Sequence, residues 1–271
     1  MRHVGGQLGF AVLAPLLFVA LPAAQETAAD FQGPAAEEFL RKARITSIQG
    51  INQGVTAPRR ATLELDGVKR TAAFKTIDVE RPGVSQLTNG QVEVDFQDSW
   101  RTEIAAYEID KMIGLGLVPA TIEREYRGQP GSLQWWVESE WSEAARRKQG
   151  IRPPDPVAWN RQNLNMLLFD HLIYNADRHL NNVLVTKNFE LRLIDHSRAF
   201  RLLTRLQNEA ALTGFSRSLL AGLEKLNTAE LRKRVGRHLS TNQISTMLTR
   251  RDLILAYAKK VVAEKGESVL Y

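Results

Sequence analysis

The chain has 271 residues, 44% of them hydrophobic and 24% charged, with a formal net charge of +6. This balance excludes a disordered chain and gives enough length for one large domain or two lobes. The absence of cysteine excludes disulfides, a thiol nucleophile and thiolate-bound zinc. Net positive charge favours anionic partners. The basic clusters Arg59-Arg60, Arg146-Arg147-Lys148 and Arg232-Lys233-Arg234 are dispersed and lack any zinc-finger or aromatic RNA-binding signature, so no nucleic-acid partner is expected.

At the N-terminus, Arg2 and His3 precede an almost wholly apolar run over residues 8–24 that ends in Leu21-Pro22-Ala23-Ala24. This reads as a signal peptide over residues 1–24 and implies export to a periplasm or the exterior. Without cleavage the same run would anchor the protein and associate it with a membrane. Residues 25–43 form a linker that turns helical, since 35–43 is rich in good helix formers.

Strand character follows at 45–48, 61–65 and 68–77, with Asp66-Gly67 as a strong hairpin turn between the last two. The first pair is joined across Gly50-Ile51-Asn52-Gln53-Gly54, where Gly50 and Gly54 would let the backbone approach phosphates closely. The third strand carries Ala72-Ala73-Phe74-Lys75. A helix is predicted over 98–113, with Trp100, Ile104, Tyr107 and Met112 along its apolar stripe. Glu103 is the expected partner of Lys75, because it lies near the helix start beside the sheet; Glu108 is the alternative.

Gly114 and Gly116 end that helix, and Val118-Pro119 starts an extended segment leading to a strand over 133–138. Trp135 and Trp136 in that strand read as packing residues. Helices dominate from Trp141 onward. Leu164, Leu167, Leu168, His171 and Leu172 trace one face of a helix over 161–175, and Asn227-Thr228-Ala229-Glu230 and Ser240-Thr241-Asn242-Gln243 mark later helix starts.

The segment 177–195 carries the most chemical information. Asp177-Arg178-His179-Leu180-Asn181-Asn182 precedes two β-prone runs, 183–185 and 191–194, joined across Lys187-Asn188, and this hairpin delivers Asp195 beside Asn182. An aspartate five residues before an asparagine, followed by a second aspartate at a strand end, is the spacing of a phosphoryl-transfer loop with two metal ligands.

Asn175-Ala176-Asp177-Arg178-His179 resembles the Asp-Arg-His catalytic loop of phosphatidylinositol 3/4-kinases and secretory-pathway kinases, whereas conventional protein kinases use His-Arg-Asp. The stretch from Leu193 to Phe200 is similar to the metal-binding Asp-x-Gly-Arg-x-Phe segment of the secretory-pathway group. The stretch from Glu103 to Tyr107, continuing through Leu117-Val118-Pro119, resembles that group's glutamate helix. The resemblance covers residues 45–200. It implies an α+β, two-lobed protein-kinase-like fold, with a small antiparallel β-sheet lobe over 44–137 and a mainly helical C-terminal lobe over 138–271.

The resemblance also implies ATP and Mg²⁺ as cofactors, with Mn²⁺ as the substitute metal. Lys75 would bind nucleotide phosphates, Glu103 would pair with it, Asp177 would orient or deprotonate an acceptor hydroxyl, and Asn182 and Asp195 would bind the metal. The acceptor would be an alcohol on a protein, a glycan or an inositol lipid. Arg178 and His179 would support the loop. Ser197 stands where the family has glycine and no Ala-Pro-Glu segment follows, so activation through loop phosphorylation is not expected.

Two rival readings use the same residues. Asp170-His171, Asp177, His179, Asp195 and His196 could supply a metal phosphohydrolase cluster, since imidazole and carboxylate suit hydrolytic metals. The other rival is an exported pseudokinase, keeping the fold as a nucleotide-binding module.

Overall fold

The computed structural model describes Met1 and residues 31–50, 59–86 and 92–271. The signal-peptide reading and Gly54 therefore lie outside the described residues.

Strands β1 (Arg44–Gly50), β2 (Arg59–Leu65) and β3 (Val68–Lys75) form an antiparallel meander. The β2–β3 turn is tight because Asp66 and Gly67 both take positive φ, 49° and 79°, matching the right-handed twist of the strands they join. Strands β6 (Thr121–Tyr126) and β7 (Gln129–Trp135) complete a five-stranded sheet in the order β1-β2-β3-β7-β6. The last strand stops at Trp135, short of the expected 138, and residues 136–140 form an irregular connection.

Alternation along the strands sorts the sheet into two faces. Ala61, Leu63, Ala72, Phe74 and Leu133 are buried, and helix α1 (Pro34–Lys42) packs there, with Phe39 edge-on to Trp135 at 5.7 Å. Thr71, Ala73 and Lys75 fall on the opposite face. Arg60, itself exposed, stacks over Trp136 at 4.4 Å.

Between β3 and the glutamate helix lies a hairpin that the sequence reading does not contain. Strands β4 (Asp78–Gln86) and β5 (Val92–Ser99) pair only with each other. Helix α2 (Trp100–Ile113) starts two residues later than expected, because Ser99 is its N-cap and accepts a hydrogen bond from the Arg101 amide. Asp98 is thus a strand residue. Helix α2 ends at Gly114, whose φ of 70° is the left-handed cap glycine adopts without steric cost.

The helical part begins with strand β8 (Trp141–Ser142) and α3 (Glu143–Lys148), where Arg146 and Arg147 both bind Glu143. The long helix α4 (Pro156–Ile173) follows, capped by Asp155. Strands β9 (Val183–Val185) and β10 (Leu191–Leu193) form the expected hairpin and join β8 in a three-stranded sheet. Helices α5 (Arg217–Lys225), α6 (Thr228–Val235) and α7 (Thr241–Lys265) complete it; α6 and α7 start at the two predicted caps, and Ser240 and Gln243 form a reciprocal capping box. Fully buried Arg250 of α7 donates to the carbonyls of Leu172, Arg201 and Leu203, pinning α7 to the end of α4 and to the segment after Asp195. Among the described residues no helix is long and apolar enough to cross a membrane.

Candidate active site

Lys75 ends β3 on the face opposite Phe74, and Glu103 lies in the first turn of α2. Lys75 Nζ stands 2.5 Å from Glu103 Oε1 and 2.7 Å from Asp195 Oδ1, so one ammonium joins the sheet, the helix and the segment after β10. The side chains are 11%, 1% and 23% exposed in that order, which makes this an enclosed junction rather than a surface ion pair. Burial disfavours the charged forms, but the two carboxylates outweigh it and hold Lys75 well above its ordinary value. Glu103 is likewise held well below the usual carboxylate range against its burial, by Lys75 and by hydrogen bonding with His196. Glu108, the alternative partner, instead binds Lys111 at 2.8 Å and approaches Arg234.

Gly131 on β7 makes this junction sterically feasible. A Cβ there would collide with the carbonyl oxygen of Lys75, so the strands could not approach in this register with any other residue.

The loop after α4 turns at Tyr174, whose φ of 48° marks a left-handed cap, and then presents Asp177 with a side chain 40% exposed. Its carboxylate lies 3.6 Å from Arg198. Asn182 is buried; its amide lies 3.4 Å from Asp195 Oδ2 and 3.4 Å from the Asp177 carbonyl. Asp195 has φ 60°, a region that aspartate tolerates better than most residues and that is often found at functional sites. Lys75, Glu103, Asp177, Asn182 and Asp195 thus converge. His179 is exposed and supports the loop through its carbonyl, which accepts from the Asn182 amide at 2.9 Å. Gly50 ends β1 opposite Arg59, with open space where a side chain would stand.

Arg178 is the loop's structural clamp. It donates to Asp170 through Nε and Nη2, to the Asn182 and Ile194 carbonyls through Nη1, and to His196 Nε2 through Nη2.

Two carboxylates missed by the sequence reading arrive on β5. The Ser99 amide donates to the Ser197 carbonyl at 2.9 Å, which brings Asp98 beside Asp195. Burial pushes the Asp98 carboxyl up, opposed by a hydrogen bond with Ser197 and reinforced by the charge of Asp195. Glu93 binds both Arg198 and Arg201, closing the side of the site next to Asp177. The available signal for Asp98 was its place directly before a good N-cap serine.

The solved structure of the Golgi casein kinase superposes on 87% of this chain and 76% of its own, with TM-score 0.59 at 13% identity. That of the Helicobacter pylori proinflammatory kinase CtkA superposes on 82% and 97%, with TM-score 0.52 at 11% identity. The chain has an atypical protein-kinase-like fold. No family model and no curated protein matches the sequence. In this kinase-like fold the five-stranded sheet with α1 and α2 forms the small lobe, and the helices from α4 onward form the large one.

A divalent metal fits the donor set that the kinase-like fold presents. Asp195 Oδ2 is a hard oxygen donor, the Asn182 side chain faces it through Nδ2 at 3.4 Å and would offer its amide oxygen on turning over, and Mg²⁺ is commonly held by one or two carboxylates together with substrate phosphates. The phosphohydrolase cluster does not assemble: His171 bonds the Leu167 and Asn208 carbonyls, Asp170 is engaged by Arg178, and His196 is fully buried. Among the described residues no group of three or more histidine or acidic side chains could hold a metal.

Proposed function

We propose that this protein is an ATP-dependent kinase that moves the γ-phosphate to an alcohol acceptor. The observation that carries the reading is Lys75 Nζ bridging Glu103 and Asp195 within 2.7 Å, with Asn182 and Asp177 on the adjoining loop. Phosphoryl transfer requires positioned charge more than a covalent nucleophile, and these five residues are of the types it uses.

In this reading Lys75, oriented by Glu103, contacts nucleotide phosphates. Asp195 and Asn182 hold Mg²⁺, which when bound neutralises phosphate charge. Asp177, the most exposed of these carboxylates, receives or orients the acceptor hydroxyl. The acceptor is a protein serine or threonine, a glycan hydroxyl or an inositol lipid. The apolar segment at residues 8–24 supports export or membrane anchorage.

The test is Mg²⁺-dependent γ-phosphate transfer by the full chain to itself and to mixed protein, glycan and lipid acceptors, beside Asp177→Ala and Asp195→Ala. Transfer abolished in both variants supports the reading. Nucleotide binding without transfer would reassign the chain as a pseudokinase, and no nucleotide binding would reject the reading altogether.

A further inference from the structure

His196 directly follows the candidate metal ligand Asp195, yet the proposed chemistry gives it no task. It is fully buried, and its ring meets Phe169 edge-on at 5.9 Å. A phenylalanine would serve that packing equally well. The polar contacts of the imidazole and its backbone are what distinguish this position.

The guanidinium of Arg178 has five N–H donors and no acceptor. Nε–H goes to Asp170, both Nη1 hydrogens go to main-chain carbonyls, one Nη2 hydrogen goes to Asp170 and the other reaches His196 Nε2 at 2.9 Å. Because arginine only donates, His196 Nε2 must be the acceptor. This fixes the neutral tautomer with its proton on Nδ1. That nitrogen faces Glu103 Oε2 at 3.6 Å, and the backbone amide of His196 donates to the same oxygen at 3.0 Å.

We infer that His196 is a positioning residue that couples the glutamate helix of the small lobe to the loop carrying Asp177. One side of it meets the carboxylate that orients Lys75. The other completes the coordination of the guanidinium that fixes the carbonyls of Asn182 and Ile194. Displacing Glu103 would disturb His196, and disturbing His196 would leave a buried Arg178 N–H without a partner and free the loop to shift. The His196 backbone amide hydrogen-bonds Glu103 and its Nε2 accepts from Arg178, so the state of the Lys75–Glu103 pair reaches the loop through this one residue.

The test compares His196→Gln, His196→Asn and His196→Phe in the full chain. The glutamine amide reaches the position of Nε2 and can still accept from Arg178. The asparagine amide reaches only the position of Nδ1, and phenylalanine keeps the packing alone. His196→Phe and His196→Asn should lower kcat by about tenfold to a hundredfold, the cost of a small misplacement of reacting groups, with KM for ATP within about twofold. His196→Gln should retain kcat within about threefold.

Hydrogen exchange of the Asn182 and Ile194 amides supplies a readout that needs no activity. It should accelerate by at least about tenfold in His196→Phe and His196→Asn but not in His196→Gln. The kinetic arm rests on the kinase reading. If the wild type transfers no phosphate, that reading fails while the exchange pattern still decides the coupling. Wild-type exchange in His196→Phe would overturn the inference. So would losses in all three variants that simply follow Tm, or failure of both His196→Phe and His196→Asn to fold, since His196 would then be structural only.

Discussion

Two arginines flank the Asp177 loop and are held in opposite ways. Arg178 is 10% exposed and directs its donors to main-chain carbonyls, a buried aspartate and a buried histidine, all within the framework around the loop. Arg198 is 21% exposed and is shared between Asp177 and Glu93, a side chain on the inserted β4–β5 hairpin. Bonds to backbone carbonyls fix the position of the loop itself. Side-chain ion pairs to a hairpin fix only what lies across from it, so the clamp defines the side of the site that carries Asn182 and Asp195 and the hairpin defines the side that carries Asp177.

The largest effect should come from the junction that both regions serve. Lys75→Met or Asp195→Ala should reduce γ-phosphate transfer by at least about a thousandfold while the protein remains folded by circular dichroism, since under the proposed function the first removes the cation that meets the nucleotide phosphates and the second a ligand of the metal that neutralises them. Transfer that survived either change would separate the junction from the chemistry.

Breaking the clamp should cost stability. Arg178→Leu leaves the Asp170 carboxylate, only 5% exposed, without its cation, and urea denaturation should show a loss of about 3–5 kcal/mol. A loss below about 1 kcal/mol would place the loop's rigidity elsewhere.

Breaking the latch should act locally. Glu93→Ala should accelerate amide exchange along β4 and β5 while lowering Tm by no more than about 2–4 °C, because that hairpin pairs with no other strand. Unchanged exchange would show that Gln97–Gln243 and Asp78–Arg101 hold the hairpin without Glu93.

The smallest expected effect concerns pH. His238 packs edge-on against Trp100 at 6.2 Å, and burial depresses its protonation below the ordinary value of 6.5. The unfolded chain takes up this proton near pH 6.5 and the folded chain resists it, so stability is lost as pH falls below about 6.5. His238→Phe keeps a ring against Trp100 and should flatten part of that decline between pH 7 and 5 in thermal melts.

Much of the site was legible because its spacing is local. Asp177 and Asn182 share one loop, and the β9–β10 hairpin returns the chain so that Asp195 meets Asn182, a consequence of two short β-prone runs and a turn. Lys75 was legible as the end of a strand whose Asp66-Gly67 turn set its register, and that register also fixed which face it occupies.

The β4–β5 hairpin was not legible. Its charged, largely exposed residues bury too little apolar surface for alternation to announce a strand, and Val84 and Val92 remain 75% and 65% exposed. Asp98 and Glu93 went unassigned for the same reason. Asp98 was read as the start of α2, although Ser99 takes the cap and turns the residue before it toward Asp195.

The sequence by itself determined the Asp66-Gly67 turn, the caps of α6 and α7, and the loop and hairpin that run from Asp177 to Asp195, because these depend on neighbours within a few turns or one hairpin. Only the tertiary structure decided that Glu103 rather than Glu108 meets Lys75, that Glu93 closes on Arg198, and that His196 joins Glu103 to Arg178. Those contacts join residues up to 105 positions apart, and it is the packing of α2 against the segment after β10 that brings their side chains into reach.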